Sequence, residues 1–296
     1  MLSRIYNLIN YCYWNDSENK LPAIELQLFL IAVKCLMPYE NDIGCYFDAD
    51  RYMKEIELFK CYKNGHDEAL EYYLRNESIS EKYDNLLEYK IIPAIVVNTQ
   101  WDILLNEALK AAMFYSSNNQ TILDTICISS IINEYISAKS EGIDEITKER
   151  LINFSLKDFL IRNNIKINKS SLIEFEKERI NIISKPELIS EGLKDKFKSL
   201  HYIYNETKNE SEFDNKNEEA TNETVLYNFS SYLYKLRKGI INPEKLKIQT
   251  DNIPSIKEFL KYASFNHPLL GRCKILKRGE KEVIIRNKSG LIKVNL

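Results

Sequence analysis

A chain of 296 residues in which 44% are hydrophobic has enough apolar material for one large core or two moderate ones. Its formal net charge of -2 excludes a global field that would draw the whole molecule onto nucleic acid or an anionic membrane, so any such contact has to be local. Only 8 Gly and 7 Pro punctuate the chain, which favours helices over a many-turned sheet protein and makes the expected class mainly α.

Residues 3–13 carry Ile5, Leu8, Ile9 and Cys12 at helical spacing, and the polar run WNDSENK closes that helix. Pro22 opens a second helix to about Met37 that is apolar on nearly every side and therefore expected at the centre. Its greasiest part, AIELQLFLIAVKCLM, is shorter than the roughly 20 residues of a membrane span and includes Glu25 and Lys34. With no secretory leader pattern at the start, the expectation is a soluble cytoplasmic protein with no membrane partner. The six cysteines, Cys12, Cys35, Cys45, Cys61, Cys127 and Cys273, form no C-x-x-C and read as reduced structural thiols.

In MPYENDIGCYFDAD, Pro38 ends the second helix and Asp48 caps a third with Tyr52, Ile56, Phe59 and Tyr62 on one face. Glu40, Asp42, Asp48 and Asp50 are the densest carboxylates in the chain. Hard oxygens of this kind suit Mg²⁺ or Ca²⁺, although the EF-hand pattern is not met, and capping by Asp48 with dipole support from Asp50 explains them as well. A short helix over about 67–75, a brief one after NESISEKYD, the run IIPAIVV and a helix with Trp101, Leu104, Leu105, Ala108, Ala112 and Tyr115 on one face follow.

The stretch YSSNNQTILDTICISSIINEYI, 115–136, sets hydroxyls and amides before an apolar run. Asn118 and Asn119 suit a tight turn, and Thr121 with Asp124 has capping-box spacing, so these residues read as the joint of an αα-hairpin more readily than as a ligand pocket. The same signature recurs at Ser155 with Asp158, Ser171 with Glu174 and Ser255 with Glu258. Helices are predicted over about 147–163, 171–184 and 186–204. The polar stretch 205–224 reads as a linker or mobile loop between a helical domain, 1–204, and a unit over 225–296. That unit starts with the helix VLYNFSSYLYKL, has a last helix over about 256–263, and ends after His267-Pro268 in a three-stranded antiparallel meander turning around Gly279 and Gly290.

Chemistry is sparse. No phosphate-binding loop, dinucleotide fingerprint, zincin helix or nucleophile elbow occurs, and His66, His201 and His267 each lack a partnered setting. The meander is the strongest charge feature: Arg272, Lys274, Lys277, Arg278, Lys281, Arg286, Lys288 and Lys293 stand against Glu280 and Glu282 alone. Such a sheet could contact phosphate backbones or another acidic partner, while its lack of aromatics removes platforms for base stacking, and lysines on strands also guard against edge aggregation.

The order of QLFLIAVKCL, FDADRYMKEIELFKCYKNG, IIPAIVV with its following helix, the turn YSSNN and the helix to Ile136 resembles the cadence of ADP-ribosylglycohydrolase proteins over about residues 21–140. That resemblance implies an all-α fold and two Mg²⁺ ions held by aspartates for hydrolysis of ADP-ribose linkages. The motifs depart from it: Ala23, Ile24, Glu25 and Leu26 stand where that family has Thr-Asp-Asp-Thr, and Thr221-Asn222-Glu223-Thr224 is the nearest counterpart of its later Asp-rich motif. Glu25, Glu223 and Thr224 are therefore the site residues the resemblance implies, with Mg²⁺ the cofactor only on that reading and the metal site degenerate. The leading expectation is a non-catalytic binding or interaction protein for an unidentified protein or small molecule, with no cofactor.

Overall fold

The computed structural model describes residues 1–18, 21–138, 142–166, 168–185, 187–206, 225–242, 246 and 253–296. The fold is mainly α with a small C-terminal antiparallel sheet. In order come α1 (Leu2–Glu18), α2 (Ile24–Lys34), β1 (Leu36–Pro38), β2 (Cys45–Phe47), α3 (Ala49–Phe59), α4 (Glu68–Asn76), α5 (Leu87–Val97), α6 (Trp101–Ala112) and α7 (Asn119–Ile136). They are followed by α8 (Ile143–Asn153), α9 (Leu156–Arg162), α10 (Lys169–Ser184), α11 (Glu187–Lys194), α12 (Lys198–Glu206), α13 (Val225–Arg237) and α14 (Ile256–Phe259). The last four elements are β3 (Ser264–His267), β4 (Gly271–Arg278), β5 (Glu282–Asn287) and β6 (Gly290–Asn295).

Helices that are apolar all round belong inside, and two of them form the centre. Every residue of α5 is buried, as is α7 from Thr121 to Ile136. Around α5 pack α2, α6, α7 and α13, while α1 lies against α13 and α12. Pro93 lies inside α5, where it would cost about 3 kcal/mol in an isolated helix. Burial of Ile91, Ile92, Ala94, Ile95, Val96 and Val97 outweighs that loss and keeps IIPAIVV helical.

The helix starts show which local patterns acted. Asp48 Oδ1 accepts from Arg51 N at 2.9 Å, Ser155 Oγ from Asp158 N at 3.2 Å, and Ser255 Oγ from Lys257 N at 3.4 Å, so these three cap where the spacing predicts. Two predicted caps are displaced. Asn118, not Thr121, caps α7 by accepting from Thr121 N at 3.1 Å, and Asn168, not Ser171, caps α10. The predicted helix over 147–163 is two helices, and that over 186–204 divides between α11 and α12. Asn205 and Glu206 extend α12, whereas the rest of the predicted linker, 207–224, lies outside the described residues.

Strands differ from the prediction in two places. β1 and β2 pair antiparallel through Leu36–Phe47, Met37–Tyr46 and Pro38–Cys45, so the second helix stops at Lys34 rather than at Met37. The C-terminal sheet has four strands in the order β3-β4-β5-β6, because Ser264–His267 pairs with β4 ahead of the three predicted strands. Its inner face buries Phe265, Cys273, Val283, Ile285, Ile292 and Val294, which continue the helical core, and Phe259 of α14 stacks on Phe265 at 5.3 Å.

His267 closes this sheet onto α14. Its Nδ1 accepts from Leu269 N at 3.2 Å and its Nε2 lies 3.3 Å from Pro254 O, a pattern that the neutral ring with its proton on Nε2 satisfies. Burial holds the imidazole pKa below its usual 6.5, with Lys34 adding to the effect. A depressed histidine contributes stability above the unfolded pKa that is lost as pH falls through the folded one. Acidification below about pH 6 is therefore expected to lower the protection factors of amides in β3 and β4, corrected for the intrinsic pH dependence of exchange, before those of the helices. Substitution His267→Gln should remove that pH dependence of protection; protection factors in β3 and β4 that do not change with pH in the unsubstituted protein would contradict this account of the ring.

Candidate interaction surface

Several buried charged groups of the helical body are held by internal partners, whereas Tyr52 Oη and Ser129 Oγ are buried without a hydrogen bond among the described residues. Lys90 Nζ sits 2.6 Å from Asp84 Oδ2 with both side chains fully buried, donates to Ala112 O at 2.8 Å and lies 3.6 Å from the centre of the Tyr115 ring. Burial raises the Asp84 carboxyl and lowers the Lys90 ammonium, each opposed by the partner's charge. Asp124 accepts from Tyr83 Oη at 2.8 Å, Lys196 Nζ at 2.6 Å and Gln120 Nε2 at 2.7 Å. Glu88, reaching out of α5, accepts from Lys198 N, Ser199 N and Ser199 Oγ, and so satisfies the first donors of α12. Burial raises its carboxyl despite those bonds. Glu107 takes Tyr39 Oη, Phe47 N, Asn106 Nδ2 and Lys110 Nζ. Such closed sets position elements and offer no open ligand.

The predicted site residues fall in separate places. Asp48 caps α3, Asp50 is exposed in the first turn of that helix, and Glu40 and Asp42 are exposed in the connection from β1 to β2. Among the described residues no group of three or more His, Cys, Asp or Glu side chains is placed to hold a metal ion. Glu25 is half-buried in the first turn of α2, and Glu223 and Thr224 lie outside the described residues. All six cysteines are free. No helix of the described residues is long and apolar enough to cross a membrane.

The joint before α7 is stitched to the segment leading into α5. Ser116 Oγ donates to Lys82 O at 2.7 Å, Asn118 Nδ2 to Glu81 O at 3.0 Å, and Thr121 Oγ1 accepts from Asp84 N at 3.2 Å. Ser117, Asn118, Asn119 and Gln120 also line one wall of a cleft of about 450 Å³, opposite Ser171, Glu174 and Glu178 of α10. A second cleft of about 470 Å³ opens between α6, α8 and α9. There Arg150 lies 3.9 Å over the Trp101 ring and ends on Glu134, so its charge is already matched. Both clefts have the size of small-molecule sites, but their charged linings mix both signs without converging on one point.

The sheet presents a different arrangement. Antiparallel partners point to the same side of a sheet, and the register pairs Lys274 with Arg286, Lys277 with Ile284, Ile284 with Lys293, and Asn266 with Arg272. These residues thus share the face opposite Cys273, Ile285 and Ile292, and Arg272, Lys274, Lys277 and Arg286 are exposed on it. The register shifts between Ile275 and Lys277, a bulge that inserts Leu276. Unbroken alternation through Leu276 would turn Lys277 inward; because the bulge absorbs Leu276, Lys277 stands on the outer side with Ile284, and Leu276 is exposed beside it. Arg278 is drawn off by the same shift and donates to Leu260 O and Tyr262 O, tying the strand to the end of α14. Lys281 and Lys288 sit in the two turns, and Lys293 pairs with Glu282 at 3.5 Å. Among the described residues Arg272, Lys274, Lys277 and Arg286 make no ion pair. An exposed aromatic, Tyr262, lies between α14 and β3, with Lys261 Nζ 5.1 Å from its ring centre.

The sequence shows these cations as a count; their gathering on one face depends on pairing register and, for Lys277, on the bulge. Comparison with known protein families, curated proteins and solved structures finds no match to the chain.

Proposed function

We propose that this chain is a non-catalytic binding protein that meets an acidic partner with the outer face of its C-terminal sheet. The observation that supports the reading is a contrast in how charge is used. Asp84, Lys90, Asp124, Glu88 and Glu107 are spent on internal partners, whereas Arg272, Lys274, Lys277 and Arg286 stand together on one solvent face without an ion pair among the described residues. Charges held in that way create a local positive field on a molecule whose net charge is -2.

Retention on a heparin column tests this directly. The full chain should bind at about 50 mM salt and elute as salt rises, because association releases counterions from the polyanion. The variant K274E/K277E/R286E changes only exposed positions and should elute at much lower salt, with the slope of log affinity against log salt reduced by roughly one per lost cation. Identical elution of the variant and the unsubstituted protein would overturn the assignment.

A further inference from the structure

The outer face is not uniformly polar, and its apolar members point to the kind of acidic partner. Leu276 is 46% exposed at the bulge, and Ile284 lies between Lys277 and Lys293 in the paired row. Neighbouring strands are about 4.8 Å apart, so this row presents cation, aliphatic and cation in close sequence. The next row runs Lys274, Arg286 and Leu291, again placing an aliphatic side chain beside cations. A phosphate backbone would cover Leu276 and Ile284 with anionic oxygens and give them no apolar contact. Protein interfaces instead set an apolar centre inside a polar rim.

Resting on the reading above, we infer that the partner is an acidic protein segment with aliphatic side chains set between its carboxylates, docked across β4 and β5 with Leu276 and Ile284 under its apolar residues. The carboxylates then pair with Lys274, Lys277, Arg286 and Arg272 around that centre. Steering comes from the cations, and discrimination against nucleic acid comes from the aliphatic pair.

The test is fluorescence anisotropy on the full chain with three labelled probes: a peptide of alternating Glu and Leu, a peptide of equal charge with Ser for Leu, and a duplex DNA. The Glu-Leu peptide should bind about tenfold tighter than the Glu-Ser peptide, as the burial of a half-exposed leucine and its neighbour supports. Leu276→Ser, at a position outside the buried inner face, should abolish most of that ratio, and K274E/R286E should weaken both peptides. Equal binding of the two peptides, a ratio that survives Leu276→Ser, or tighter binding of the duplex would overturn the inference while leaving the basic-face reading in place. Failure of all three probes to bind would end that reading itself.

Discussion

Substituting Lys90 by Met is expected to destabilise the fold by about 3–5 kcal/mol, and adding Asp84→Asn to restore most of the loss. The pair lies where α5 meets the joint between α6 and α7, with both side chains at 0% exposure. Desolvation disfavours both charges, as the raised carboxyl and lowered ammonium record, and only their mutual attraction with the Ala112 carbonyl and the Tyr115 ring holds them ionised. Asp84 also accepts from Leu86 N at 3.0 Å and Tyr115 Oη at 3.3 Å. Removing the ammonium alone strands a carboxylate in apolar surroundings, whereas an amide at position 84 can keep those two bonds without a charge.

With Lys90 gone, a carboxyl already raised above its usual value of 3.8 loses its main lowering influence and rises further. A group with a raised folded pKa contributes stability below the unfolded value that disappears as pH climbs through the folded one. The Lys90→Met protein should therefore approach the unsubstituted protein near pH 4 and fall behind it toward pH 7. Urea unfolding at both pH values reads this out. Equal losses in the single and double variants would show that packing of the lysine stem, and not the stranded charge, dominates.

What can be read from the residues alone depends on how far away each partner lies. Apolar periodicity and scarce Gly and Pro reveal the helices, and caps such as Asp48 and Ser155 are legible because their donors sit three residues on. Asp124 matches the same spacing but turns inward to Lys196, 72 residues later, a partner no local pattern can reveal. Asn118 takes the cap in place of Thr121. In β3 the buried alternation is Phe265 and His267, and a histidine in an apolar slot hides the period. Cations on the meander are visible in the sequence, yet their side is not: the inserted Leu276 reverses the parity of Lys277 and Arg278, so counting alternation from Cys273 assigns both to the wrong face. A contact surface on a sheet is thus harder to read than a buried helix, since one extra residue exchanges inside and outside.

The connection 39–44 of the β1–β2 hairpin, whose acids Glu40 and Asp42 suggest a metal loop, is held instead by an amide, and Asn98→Ala should cost about 2–4 kcal/mol there. Asn98 is fully buried at the end of α5; its Oδ1 accepts from Cys45 N at 2.9 Å, and its Nδ2 donates to Cys45 O at 3.0 Å and Ala94 O at 2.9 Å. Its own carbonyl accepts from Arg237, which also holds Val96 O, so one residue links the hairpin, α5 and α13. Truncation leaves both polar groups of Cys45 without the amide. Gly44 approaches the same amide: a Cβ there would lie 2.5 Å from Asn98 Oδ1, and its φ of +136° disfavours any side chain. Gly44→Ala should then cost roughly 1–3 kcal/mol from backbone strain, together with displacement of the amide. In the Asn98→Ala background the second contribution vanishes, because the colliding oxygen is gone and the added methyl at position 44 brings backbone strain alone. The double variant is accordingly expected to be less destabilised than the sum of the singles, a coupling that urea midpoints at constant m-value can resolve. Strict additivity would mean that the amide does not hold Gly44 and Cys45 in place, and that the hairpin rests on its own strand pairing and on the bond from Phe47 N to Glu107.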